Sequence, residues 1–145
     1  MTKRWLGLDL GHVRIGVALS DPLGVTAQPL TVLKSAGTQK DIIAIGELVR
    51  TNEVTQVIVG LPLNMDGTES KTTQKVREFT AKLAERLNVP VFFVDERLTS
   101  KQAERVMIEG DSRREDRRQN LDKIAASILL QSALQGAPLI PMEKT

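Results

Sequence analysis

Four acidic residues stand where apolar elements begin, run or end: Asp9 inside the run Leu6 to Leu10, Asp95 and Glu96 where VFFV stops, and Asp122 one turn before Ala125 and Ala126. A strand that buries Leu6, Leu8 and Leu10 does not carry an Asp beside them unless something cationic meets it. The chain has no cysteine and one histidine, so gathered carboxylates here favour hard, oxygen-loving cations, Mg²⁺ or Mn²⁺. Two such ions can activate a water and stabilise the leaving oxygen in phosphodiester hydrolysis. Blander roles stand beside this one. Asp95 or Glu96 can cap a following helix or pair with Arg97, and Asp122 in a first helical turn is favoured by the macrodipole whatever its function.

Basic and polar residues around these acids could hold a phosphate. Arg14 follows the Gly11 turn closely, and a guanidinium beside carboxylates can grip a phosphodiester without competing for the metal. Arg97 joins it as a candidate substrate contact. Asn64 and Thr68, in GLPLNMDG after a buried strand, could hold a phosphate or a water, while Asp66 and Gly67 read as an ordinary turn. His12 reads as plain surface. The segment Gly110 to Gln119 has four arginines, Arg113, Arg114, Arg117 and Arg118, and no apolar side chain. It is expected to be a mobile, solvated loop and a cationic flap near Asp122.

The elements that must position these groups follow from periodicity. Leu6 to Leu10 and Val13 to Ser20 form a hairpin about Gly11, and Val25 to Leu33 makes a third strand, confined by Pro29 to an edge or bulge. Lys40 to Thr51 spaces Ile42, Ile45 and Val49 as an amphipathic helix, and Ser70 to Leu87 does the same with Val76, Phe79, Leu83 and Leu87. Between and after them, VIVG at 57–60 and VFFV at 91–94 are short apolar strands covered on both faces. Thr99 with Gln102 is a capping box opening a helix through about Ile108, and Leu121 to Leu134 is the last helix. The tail from Gly136 is irregular. Right-handed crossovers then add two parallel strands to an antiparallel three-strand meander. The predicted fold class is α/β: a five-stranded mixed sheet with helices on its faces, the ribonuclease H-like arrangement.

A chain of 145 residues suits one domain, 1–145, without disulfide staples. The net charge of +2 permits a polyanionic partner without demanding one. Aromatic residues make up 3% of the chain, too few for an extended base-stacking platform, so nucleic acid would be held through its phosphates. No apolar run has the length of a signal peptide or a membrane span, and the expected setting is cytoplasmic, with no membrane partner.

Four motifs, LGLDLGHVRIGVALSD, VIVGLPLNMDGTES, VDERLTS and LDKIAASILLQ, resemble in order and spacing the YqgF (RuvX-like) family of bacterial proteins, over nearly the whole chain. The resemblance implies a ribonuclease H-like fold related to the Holliday junction resolvase RuvC. It also implies a nuclease maturing the 5′ end of precursor small-subunit (16S) ribosomal RNA, with resolution of DNA junctions as the alternative substrate. Mapped on these motifs, the family's acids correspond to Asp9, to Asp95 or Glu96, and to Asp122. Strand alternation sends Asp95 and Glu96 to opposite faces, so only one can meet a metal, and Glu96 is preferred. Two other classes compete. A non-catalytic RNA-binding or ribosome-assembly module would keep the fold without turnover. An ATP-dependent phosphotransferase would need a second nucleotide-binding domain for which the chain has no room. Monomer and homodimer both remain open.

Overall fold

The computed structural model describes residues 3–97 and 114–142, and for residues 114–120 it describes the backbone. Strands β1 (Trp5–Leu10), β2 (Arg14–Ser20) and β3 (Ala27–Lys34) form the meander, followed by α1 (Thr38–Thr51), β4 (Gln56–Leu61), α2 (Lys71–Arg86), β5 (Val91–Asp95), α3 (Arg114–Leu134) and β6 (Ile140–Pro141). They build one sheet in the order β3-β2-β1-β4-β5-β6. Strands β4 and β5 run parallel to β1, and the other pairings are antiparallel. The sheet has six strands, not the expected five. The sixth is two residues of the tail, pairing Ile140 with Phe93 and Pro141 with Phe92, and so short a strand containing proline has no periodicity to announce it.

Strand alternation divides the core in two. Leu6 and Leu8 of β1, Ile15 and Val17 of β2, Val57 and Val59 of β4, and Phe93 of β5 turn to one face. There Ile42, Ile45 and Val49 of α1 and Val76 and Leu83 of α2 cover them. The other face carries Ala18, Ile58 and Val94 and is closed by Ala126, Leu129, Leu130 and Ala133 of α3. Residues at i, i+3, i+4 and i+7 share one side of a helix, which is why this stripe meets the sheet. A fully buried leucine contributes about 2 kcal/mol relative to exposure, so each layer is firmly attached. Helix α2 starts as its sequence suggests: Ser70 accepts from the Thr73 amide and Thr73 returns a bond to the Ser70 amide.

One further difference concerns the polar segment before the last helix. Helix α3 begins at Arg114, so residues 114–119, expected as part of a loop, are helical. Arg, Glu, Gln and Asp, the residue types of 114–119, carry no apolar stripe, but the first three are good helix formers, and polarity alone does not separate a helix from a loop. The rest of that segment, including Arg113, and the helix expected from Thr99 to about Ile108 lie outside the described residues.

Candidate active site at the carboxyl edge of the sheet

The side of the sheet under α3 is unusually bare where the acids lie. In β1, Gly7 and Asp9 alternate with Leu6, Leu8 and Leu10, so they share the face opposite the leucines. Asp9 stands across from Gly16 of β2. A Cβ on Gly16 would sit 2.1 Å from the Asp122 carbonyl oxygen, and one on Gly7 would sit 2.8 Å from the Leu130 Cβ. The missing side chains let α3 lie on the sheet backbone, which brings Asp122 beside Asp9. Gly60 of β4 completes the recess: a Cβ there would come 2.3 Å from Leu129 Cδ1 and 2.5 Å from Glu96 Oε2. Glu96 follows the last residue of β5, and its amide donates to the Leu61 carbonyl at 3.4 Å. Its carboxylate therefore occupies the space over Gly60, on the side of Asp9 and Asp122.

The electrostatics follow the geometry. Burial, then the charge of Asp122, raises the Asp9 pKa to about 6. Burial, followed by Asp9 and Asp95, raises Glu96 to about 7. Like charges in a partly dry site disfavour ionisation of each other. Asp122 is met by a cation: Arg14 Nε donates to its Oδ2 at 3.0 Å. Among the described residues, no three His, Asp or Glu side chains close on a ready-made ion site. The three acids share a face without forming a finished cage.

Asp95 has a different occupation. Arg97 holds it through its amide at 3.0 Å, through Nε at 2.8 Å and through Nη2 at 2.6 Å, and this guanidinium keeps the Asp95 pKa below the usual range. Of the two acids in the DER motif, Glu96 is the one placed toward Asp9. Arg97 also donates to the Met65 carbonyl at 3.1 Å, so this candidate phosphate contact serves to tie β5 to the loop after β4. Asn64 is likewise engaged locally. Its side-chain amide donates to Thr68 Oγ1, Thr68 donates through both amide and hydroxyl to Asp66, and Gly67 takes a φ of +88°. The expected turn at Asp66 and Gly67 is present, and Asn64 and Thr68 belong to it. His12 lies on the Gly11 turn and lines the opposite face of the sheet edge. What sequence reasoning missed is the role of Gly7, Gly16 and Gly60. Gly16 lies in the second strand of the hairpin, across from Asp9, and its missing side chain is what admits α3.

The residue pattern of the RuvX family, described as a Holliday junction resolvase, matches residues 3–136. The chain belongs to the RuvX family. Relatives named "Putative pre-16S rRNA nuclease" include one from Syntrophomonas wolfei, 47% identical over 136 residues that cover 94% of this chain and 96% of the relative. Another, from Pelotomaculum thermopropionicum, is 48% identical over 138 residues, with 93% and 90% covered. Among solved structures, T. thermophilus RuvC in complex with a Holliday junction substrate superposes with a TM-score of 0.61 at 17% identity, covering 95% of this chain and 99% of that one. The Fowlpox virus resolvase in its junction complex gives 0.55 at 19%, with 91% and 97% covered. These likenesses establish the ribonuclease H-like fold of this RuvX family member, as the meander and parallel strands led one to expect.

Proposed function

We propose that this RuvX family member is a metal-dependent nuclease that hydrolyses phosphodiester bonds of precursor 16S ribosomal RNA, with Asp9, Glu96 and Asp122 as its acidic centre. The observation that carries the reading is the crowding of these three acids over glycine backbone at the carboxyl edge of β1, β4 and β5, with Asp9 and Glu96 both raised in pKa. A purely structural site has no use for acids that repel one another, whereas a divalent cation offsets the repulsion. The donor set, all carboxylate oxygen, suits Mg²⁺ or Mn²⁺. When bound, such an ion lowers the pKa of a water and offsets charge on the leaving oxygen.

The remaining chemistry belongs to the chain. Asp9 and Glu96, ionised near neutral pH or above, would hold the ion and orient the attacking water. Arg14, already at the acidic centre through Asp122, would offer its guanidinium to a non-bridging phosphate oxygen. Arg113, Arg114, Arg117 and Arg118, four cations just before Asp122, would add phosphate contacts along the approach. The names of the relatives support ribosomal RNA as the substrate. The family description and the junction complexes of the structural neighbours favour a four-way DNA junction as the second reading.

The test is cleavage of a precursor RNA spanning the mature 5′ end and of a four-way DNA junction, side by side, in Mg²⁺ or Mn²⁺, by the wild-type chain and Asp9→Asn. Metal-dependent RNA cleavage by wild type alone is expected. Cleavage by Asp9→Asn at the wild-type rate overturns the assignment, and cleavage of the junction alone moves the substrate to DNA. Binding without cleavage by either protein points to the non-catalytic module.

A further inference from the structure

On the face of the sheet opposite the acids, a pocket of about 270 Å³ opens between the Gly11 turn and the N-terminal halves of α1 and α2. Its walls include Leu10, Ile15 and Phe79, and its rim includes His12, Thr72 and Lys75. None of the chemistry derived above uses it. The pocket and the acidic centre nevertheless share one structural element, because Asp9 and Leu10 are consecutive in β1 and turn to opposite faces just before Gly11. A polymer chain leaving the acids and crossing the edge of the sheet at this turn arrives at the pocket.

We propose that the pocket seats one unstacked nucleotide of the substrate strand, its base against Leu10, Ile15 and Phe79 and its phosphate toward Lys75. This rests on the nuclease reading for its ligand, and three observations select that ligand. The volume lies just below the range of ordinary small-molecule sites, enough for one base and its sugar and too little for two. The lining is apolar inside and polar at the mouth, the arrangement that accepts a splayed base while its backbone stays wet. The charge at the mouth suits a phosphate. Lys75 contributes a cation, whereas Asp41, the acid in the lining, accepts from Ser35 Oγ at 2.7 Å and from the Ala36 amide at 2.9 Å. The Asp41 carboxylate thus holds the turn before α1. That helix has Gly37 as its N-cap and no side-chain cap, so its first amides add partial positive charge to the same mouth, offset in part by Asp41 in the first turn. The chain has three phenylalanines and one tryptophan. So few aromatics exclude a row of stacked bases and leave room for a single seat.

The test measures binding rather than cleavage, so it stands apart from the nuclease reading. Single-stranded RNA oligonucleotides with one abasic position, walked along the strand, are titrated in EDTA against wild type, Thr72→Trp, which fills the mouth, and Lys75→Gln. In one register the abasic site should weaken wild-type binding about fivefold or more, and Thr72→Trp should lose that register dependence. Lys75→Gln, on an exposed helical position, should lower the slope of log K against log salt by about one. A DNA series of the same sequence reads whether the seat distinguishes the sugars. An abasic penalty that is absent in every register, or unchanged in Thr72→Trp with an unchanged salt slope in Lys75→Gln, overturns the proposal. If wild type shows the register effect and cleaves nothing in metal, the nuclease reading falls while the nucleotide seat stands.

Discussion

At the scale of single residues, neighbours in sequence have opposite electrostatic fates. Glu96 is raised to about 7 by burial and by Asp9 and Asp95, while Asp95 is lowered by Arg97. A carboxyl group whose folded pKa lies above its unfolded value stabilises the fold while protonated and loses that contribution as pH rises through the folded pKa. Glu96→Gln should therefore match wild type near pH 4 and exceed it by about 3 kcal/mol above pH 7, while abolishing the proposed metal-dependent cleavage. Urea denaturation at the two pH values checks the first part, and equal stabilities at pH 8 would refute it. Asp95→Asn removes a pair whose side chains are each about a third exposed, so it should cost under about 1 kcal/mol and leave metal binding intact. That the DER motif presents two acids was legible from the sequence, and alternation showed that they must separate. Choosing between them needed the space over Gly60 and the reach of Arg97, both set by long-range packing.

At the scale of elements, the site depends on how closely α3 lies on the sheet. A Cβ at Gly16 would meet the Asp122 carbonyl at 2.1 Å, and a helix backbone cannot yield as the tip of a flexible side chain can. Gly16→Ala should destabilise the protein by about 1–3 kcal/mol and shift Asp122 enough to impair cleavage. Gly46 supplies the contrast. It lies within α1, where a Cβ would come no nearer than 4.0 Å to Leu87 Cδ2, and Gly46→Ala should stabilise by about 0.5–1 kcal/mol through helix propensity alone. Thermal melts of the two variants measure both, and a Gly16→Ala protein as stable as wild type would remove the close-approach account. Strands β1, β2, β4 and β5 and helices α1 and α2 were readable because alternation or helical spacing of apolar residues runs through each. The start of α3 at Arg114 and strand β6 were not, since one has no apolar face and the other is two residues long. The bareness of the α3 face was visible only as scattered glycines, whose common purpose appears once β1, β2 and β4 lie side by side.

At the scale of the whole molecule, six carboxylates among the described residues have shifted pKa values, and these fall into two sets that titrate in different windows. Asp21, Asp66, Glu69 and Asp95 have pKa values lowered chiefly by hydrogen bonds from backbone amides, Thr68 or arginines. Their contributions are in place above the unfolded carboxylate values and fade as pH falls below about 4. Asp9 and Glu96, raised from 3.8 to about 6 and from 4.5 to about 7, act in the opposite sense: their contributions fade as pH rises from about 4 to 7. Without metal, stability should peak near pH 4.5–5 and decline toward pH 8. On the proposed reading a divalent ion would reverse the decline, because it would bind only the deprotonated acids and add its binding free energy to the folded state. Saturating Mg²⁺ or Mn²⁺ should therefore raise the melting temperature more at pH 8 than at pH 5, and more in wild type than in Asp9→Asn or Asp122→Asn. Differential scanning fluorimetry across that range reads all three proteins. A metal shift of equal size at both pH values, or one that survives in Asp9→Asn, would mean that the cation binds elsewhere and that the crowded acids under α3 have another purpose.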